Sequence, residues 1–261
     1  MTEQLRFKNK VVIVTGAAQG IGQGVALQAA AEGAKVVLAD RAEYLEVTCK
    51  NITAQGGTAV MILADLESYA GAQSVVQKAL DSFGRVDVMI NNVGGAIWMK
   101  PFTEFTEEEI TKEISRSLFP TLWSCHSVLP VMQQQKSGVI VNVSSIATCG
   151  INRLPYSAAK GGVNSFTKSM AFAHAQDGIR VNAVATGGTD APPRVTQRRT
   201  TPLSEQDEVW MQEVVDQTID RSYMKRYSSI QEQVSAILFL ASDESSYITG
   251  TVVPVGGGDQ G

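Results

Sequence analysis

A tyrosine and a lysine stand four residues apart in the stretch PYSAAKGG, Pro155 to Gly162. Residues at i and i+4 share one helix face, so the Tyr156 phenol and the Lys160 ammonium can point into one space. A cation beside a phenol favours phenolate and lowers a reference pKa of about 10 toward neutrality, which suits the phenol to take a proton from an alcohol. The pair alone reads equally as a surface helix with a packed tyrosine and a solvated lysine. A second stretch, TGAAQGIG from Thr15 to Gly22, has the makings of a phosphate cradle. Gly16, Gly20 and Gly22, with Gln19 and Ile21 between them, let backbone amides approach a pyrophosphate at a helix N-terminus. Asp40 follows at the end of the next apolar run, where a carboxylate can accept from ribose hydroxyls and repel a 2′-phosphate. That favours NAD over NADP, with Arg41 as the one residue that could hold such a phosphate. Asp65, after the third run, is placed either to meet the adenine or to cap a helix.

These residues need a scaffold, and the apolar pattern supplies one. Seven short β-branched runs, at 11–15, 34–39, 58–64, 86–91, 138–144, 179–185 and 251–255, alternate with longer helical patterns. The runs are almost continuously apolar, as parallel strands covered on both faces must be, and the gaps hold one crossover helix each, the sixth holding more. The expected fold is α/β, a single-domain Rossmann-type doubly wound parallel sheet of about seven strands over residues 1–261. The exception to the rhythm is an excursion at about 187–227, with APPR, QRR and an amphipathic pattern at Val209, Trp210, Val214, Val215 and Ile219. An insertion of that length in a compact domain reads as a substrate-covering lid.

Composition narrows the function classes. A net charge of −4, without a long basic block, gives a nucleic-acid partner little electrostatic support. Three irregularly spaced cysteines, Cys49, Cys125 and Cys149, suit reduced thiols rather than a disulfide frame. The opening MTEQLRFKNK lacks a hydrophobic signal core, and no apolar run approaches the roughly 20 residues of a membrane span, so a soluble cytoplasmic protein is expected. His126 and His174 have no partners at metal-ligand spacing, so no metal is expected.

TGAAQGIG, NNVGG (91–95), VNVSS (141–145), YSAAK (156–160) and ITGTVVPVGGG (248–258), in this order, resemble the short-chain dehydrogenase/reductase family across nearly the whole chain. The resemblance implies that Tyr156 is the acid/base while hydride leaves the same carbon for a nicotinamide, and that Lys160 also holds the nicotinamide ribose. It implies a substrate-holding serine in VNVSS, matched to Ser145 with Ser144 as the other choice. Asn92 and Gly94 match the loop beside the cofactor ribose, and Thr189 matches the threonine that meets the carboxamide. Two departures stand out. Ser117 occupies the place where many members carry a relay asparagine, and its hydroxyl, or a backbone carbonyl freed by Pro120, can hold a water instead. TGG (186–188) replaces the usual Pro-Gly, which should loosen that loop. The family implies a homo-oligomer, usually a tetramer packed through its fourth and fifth helices.

Within the family, RSLFPTLWS, GGTDAPPR and the C-terminal SYITGTVVPVGGGDQG are similar to the benzoate cis-dihydrodiol dehydrogenases. That similarity implies NAD-dependent oxidation of a 1,6-dihydroxycyclohexa-2,4-diene-1-carboxylate or a methylated relative toward a catechol. Arg153, Arg194, Arg198 and Arg199 could hold the substrate carboxylate by bidentate bonding, or form a solvated basic loop. Ile97, Trp98 and Met99 could wall a flat ring, or belong to the core. The alternatives are a 3-oxoacyl-thioester reductase or other secondary-alcohol dehydrogenase of the same fold, which Asp40 disfavours if it uses NADPH, and a non-catalytic nucleotide sensor.

Overall fold

The computed structural model describes residues 5–199 and 201–261, so the first four residues of the opening segment and Thr200 of the excursion lie outside the described residues. Seven parallel strands form one sheet: β1 (Val11–Thr15), β2 (Lys35–Asp40), β3 (Thr58–Leu63), β4 (Val88–Asn91), β5 (Gly138–Ser145), β6 (Ile179–Thr186) and, last in the chain, β9 (Val252–Val255). Their order is β3-β2-β1-β4-β5-β6-β9, which reverses direction between β1 and β4. A crevice opens beyond the C-terminal strand ends at such a switch point.

Strand periodicity divides the core in two. Val12, Val14, Val36 and Leu38 turn to one face and meet α1 (Gly20–Ala31), α2 (Leu45–Ala54) and α8 (Ile230–Ala241). Val11, Ile13, Val37 and Ala39 turn to the other and meet α3 (Tyr69–Phe83), α5 (Phe119–Gln135) and α6 (Leu154–His174). Both faces are thus buried along the central strands, which is why these read as nearly unbroken apolar runs, whereas the edge strands β3 and β9 stay half-buried.

The fourth crossover differs from expectation, because it holds two helices, α4 (Glu107–Ser117) and α5, rather than one. Pro120 has no N–H for the Arg116 carbonyl, so the helical ladder is interrupted, with Leu118 at φ −117 between the two. Ser117 therefore ends a helix whose start is fixed by a Thr106–Glu109 capping box. The excursion is tied at its base by a two-residue parallel pair, β7 (Thr189–Asp190) with β8 (Ser228–Ser229). Inside it the amphipathic pattern forms α7 (Glu205–Arg221), capped by Ser204, with Val214 and Thr218 buried. Gly187 and Gly188 do not leave the preceding loop loose. The Gly187 N–H donates to the Val255 carbonyl at 2.9 Å, and a side chain at Gly188 would meet the Tyr227 ring at 2.6 Å. No helix among the described residues is long and apolar enough to cross a membrane.

Candidate active site

A cleft of about 710 Å³ opens at the C-terminal strand ends. One half is lined by Gly16, Gln19, Gly20, Ile21, Asp40 and Asp65, the other by Asn92, Gly94, Ser145, Arg153, Tyr156 and Thr189, with Arg194 and Arg198 from the excursion. Gly22, Ser117 and Lys160 stand a layer behind this wall.

The first half fits a dinucleotide. The N-cap of α1, Gln19, makes no side-chain capping bond, and the first turn carries no acidic residue, so its amides are left for an anion. A Cβ on Gly22 would stand 2.1 Å from the Gly16 carbonyl oxygen, so only glycine lets the loop close this tightly against the helix. Asn92 braces the loop from β4, donating to the carbonyls of Thr15 at 3.1 Å and Gly16 at 3.3 Å. The Asp40 carboxylate accepts from the amides of Ala18 and Ala42, each at 3.1 Å, and faces the cleft. Arg41 turns to Glu67 at 3.6 Å, an acid that Arg116 also holds at 3.1 Å. Asp65 lies two residues past β3 and lines the cleft, while Ser68 takes the capping position of α3.

In the second half, alternation along β5 separates the two candidate serines. The Ser144 hydroxyl donates to Asn164 Oδ1 of α6 at 2.5 Å and does not line the cleft. Ser145 faces the cleft, accepting from the Ala147 amide at 3.0 Å, and its hydrogen bond draws the Tyr156 phenol downward in pKa. Tyr156 is 9% exposed, and burial, the largest influence, pushes its pKa above the ordinary phenol value. Ser145, Arg198 and Arg153 oppose that rise in decreasing order. Lys160 does not figure among these groups, contrary to the simple shared-face expectation. Its ammonium lies 5.9 Å from the Tyr156 ring centroid and donates to the Val143 carbonyl at 2.7 Å. Burial, aided by Arg198, pushes Lys160 down to about 7, so its own charge is only partial near neutrality.

Two glycines make room for these cations. A Cβ on Gly94, at φ +150, would stand 3.1 Å from Lys160 Nζ, and one on Gly95, at φ +118, would stand 2.1 Å from the Arg198 guanidinium carbon. Ser117, fully buried, accepts from the Gly95 amide at 3.3 Å and so supports this double-glycine turn.

The four arginines fall in different places. Arg198 lies in the catalytic half, donating to the Ala96 carbonyl at 3.4 Å, while its Nε is buried without a partner. Burial and Arg194 push it down to about 10, which leaves it charged near neutrality. Arg153, preceding α6, lines the same half; its Nη2 donates to Thr218 at 3.4 Å, and its Nε is likewise buried and unpartnered. Arg194 is instead flanked by Arg116 and Asp40, toward the nucleotide half. Arg199 is committed within the excursion, pairing with Asp207 at 3.0 Å and donating to Thr201 at 2.6 Å. The aromatic wall also differs: Trp98 lines neither this cleft nor the adjoining cavity, and Ala96 and Met99 line both.

Two features went unread in the sequence. Gln19 latches the excursion across the cleft, its Oε1 accepting from the Val195 amide at 2.9 Å and its Nε2 donating to the Thr196 carbonyl at 3.1 Å. Glu113, which reads in sequence as one of a run of solvated acids, is fully buried. Its place four residues before Ser117, on the same face of α4, is the signal that could have found it. Among the described residues no group of three or more His, Cys, Asp or Glu could hold a metal ion.

A glycine loop at a helix N-terminus and a buried tyrosine beside a serine on one parallel sheet define an oxidoreductase of the dehydrogenase type. The chain belongs to the short chain dehydrogenase family, whose model matches residues 10–202. It is 65% identical to the 1,6-dihydroxycyclohexa-2,4-diene-1-carboxylate dehydrogenase of Acinetobacter baylyi, covering 100% of both chains. It is 56% identical to the enzyme of that name from Pseudomonas putida, over 98% of this chain and 94% of the relative. Among solved structures, levodione reductase superposes with a TM-score of 0.87 at 31% identity, over 97% of this chain and 98% of the other. NAD+-bound xylitol dehydrogenase does so with 0.85 at 27% identity, over 97% and 99%.

Proposed function

We propose that this chain oxidises 1,6-dihydroxycyclohexa-2,4-diene-1-carboxylate with NAD, yielding a catechol and CO2. The observation that carries the reading is the pair of guanidinium groups, Arg198 and Arg153, that share the cleft with Tyr156 and both act on its phenol. Each has a buried, unpartnered Nε, a donor that a carboxylate would satisfy. A neutral alcohol would leave these charges unanswered. Of the two, Arg198 is the better candidate, because it lies over the bare backbone of Gly95 in the turn that also accommodates Lys160.

The nicotinamide, when bound, accepts the hydride. C1 of the substrate bears hydroxyl and carboxylate but no hydrogen, so only C6 can release one. Tyr156, as phenolate, takes the C6 hydroxyl proton, and Ser145 holds the oxygen as it becomes a carbonyl. Arg198 and Arg153 favour that phenolate against the cost of burial. Lys160, whose ammonium is tied to the Val143 carbonyl, is assigned the nicotinamide ribose, as the family match implies. We assign to Ser117, whose hydroxyl accepts from the Gly95 amide, the holding of a relay water behind Lys160, with the Arg116 carbonyl, denied an N–H by Pro120, as its second partner. The product is a β-keto acid. Its C1–carboxylate bond breaks as CO2 leaves, the electron pair passes into the carbonyl, and protonation of the resulting oxygen gives the aromatic diol. No separate decarboxylation machinery is required.

Asp40 selects NAD by accepting from the adenosine ribose and repelling a 2′-phosphate, while Arg41 is held by Glu67. Gln19 holds the excursion over the cleft as a lid. For assembly we retain a cytoplasmic homotetramer, which light scattering tests. The activity itself is tested with the purified protein and the carboxylated diol: NAD should be reduced faster than NADP, and an absence of reduction with either would overturn the proposal.

A further inference from the structure

Glu113 is a costly residue where it stands. A carboxylate fully removed from water loses several kcal/mol of solvation, and an aliphatic side chain on the buried face of α4 would pack without that loss. Burial accordingly pushes its carboxyl above the usual range. Its Oε1 accepts from two successive backbone amides, Ile97 at 2.7 Å and Trp98 at 2.9 Å. These amides belong to a turn that follows the positive-φ glycines Gly94 and Gly95 and lies in no helix or strand, so Glu113 supplies the partner that a ladder would otherwise give. The residue before Ile97 is Ala96, whose carbonyl receives the Arg198 guanidinium, and Gly95 is the bare surface on which that guanidinium rests. Glu113 Oε2 is left buried and unpartnered, with the Arg198 charge near enough to draw its carboxyl downward in pKa.

We propose that Glu113 is a positioning residue for substrate recognition: it fixes the 95–98 turn through two amides, and the turn in turn aims Arg198 at the substrate carboxylate. This rests on the assignment of a carboxylated diol above. Glu113 does not line the cleft, so its effect on recognition should be selective for the substrate group that Arg198 holds. Glu113 also pushes the Tyr156 phenol up, so its loss should move the limb on which rate rises with pH to lower pH for both diols alike; compared on the plateau above that limb, hydride transfer itself should be little affected.

The test compares the carboxylated diol with a plain cis-dihydrodiol across three variants, with NAD affinity measured by fluorescence titration alongside. Glu113→Met removes the acceptor at similar length, Glu113→Asp withdraws it by one methylene, and Glu113→Gln keeps an oxygen able to accept both amides. For Glu113→Met we expect KM for the carboxylated diol to rise roughly 30-fold while its kcat, and KM for the plain diol, move by less than about 3-fold. Glu113→Asp should move KM the same way by about 5-fold, and Glu113→Gln should return it to within about 3-fold of the unaltered protein. A purely structural role would lower activity on both diols alike and would not be rescued by glutamine. Either result overturns the proposal, and so does unchanged selectivity in Glu113→Asp should the methionine variant not fold. If the unaltered protein showed no preference for the carboxylated diol, the substrate assignment would fall first. A preference that survives in every Glu113 variant sinks this inference alone.

Discussion

Replacing Arg198 by glutamine removes a full charge from beside Tyr156 at modest cost in volume, and its effect can be worked from the structure. The guanidinium lies against the backbone of Gly95, with a 3.4 Å bond to the Ala96 carbonyl and a buried, unpartnered Nε. A charge-assisted hydrogen bond to a carboxylate contributes about 1.5–3 kcal/mol, which corresponds to roughly 10- to 150-fold in kcat/KM. Arg198 is only half-buried as a whole residue, so screening by water favours the lower half of that range, and a loss of about 30-fold on the carboxylated diol is expected. A second effect must be separated from the first. Arg198 helps hold the Tyr156 phenol down, so its loss should move the limb on which kcat/KM rises with pH to higher pH for every substrate. Measured on the plateau above that limb, the plain cis-diol should lose less than about 3-fold. The assay is initial-rate NADH formation on both diols across pH. Equal losses on the two diols at the plateau would refute the ion pair and leave Arg153 as the better candidate.

Tyr156→Phe should abolish nearly all turnover, by about 10³-fold or more, while NAD affinity measured by calorimetry stays within a few-fold. Ser145→Ala should lower kcat by about 10²-fold, whereas Ser144→Ala, which loses the contacts to Asn164 and to the Lys160 carbonyl on α6, should cost thermal stability more than rate; a reversed pattern in parallel melting and rate measurements would reverse the assignment. Asp40→Ala should raise the NADP-to-NAD ratio of kcat/KM by at least about tenfold, and an unchanged ratio would place cofactor choice elsewhere. Gln19→Ala removes the bonds to Val195 and Thr196, so proteolysis within the excursion should quicken with the sheet intact; an unchanged cleavage rate would show that the latch does not hold the lid.

What the sequence disclosed follows a physical division. The central strands are covered on both faces and therefore largely apolar, and the half-buried edge strands β3 and β9 keep the same β-branched character, so all seven could be read from the pattern of apolar runs; Gly16, Gly20 and Gly22 are set by local backbone needs that spacing records. Ser145 and Ser144 were inseparable by motif, because only the partner of each face, the cleft or Asn164, tells them apart. The arginines could not be told apart in sequence for a similar reason. Arg199 looked as free as Arg198 until Asp207, on the first turn of α7, claimed it, and Arg194 lies toward Asp40 despite the like charge of Arg116 beside it. Trp98 looked like a ring wall, whereas its backbone amide, not its side chain, proved informative. The Gln19 latch joins residues more than 170 positions apart, a contact that no local pattern encodes. Glu113 was hidden by its neighbours, since five glutamates between 104 and 113 read as a solvated face until one is found at zero exposure.

The central claim is a single sequence of bond changes, and product stoichiometry tests it most directly. The purified protein should convert the carboxylated diol and NAD into NADH, CO2 and catechol in equal amounts, with the Tyr156→Phe variant producing none of the three. NADH formed without matching CO2 and catechol, or catechol formed by the phenylalanine variant at the rate of the unaltered protein, would contradict it.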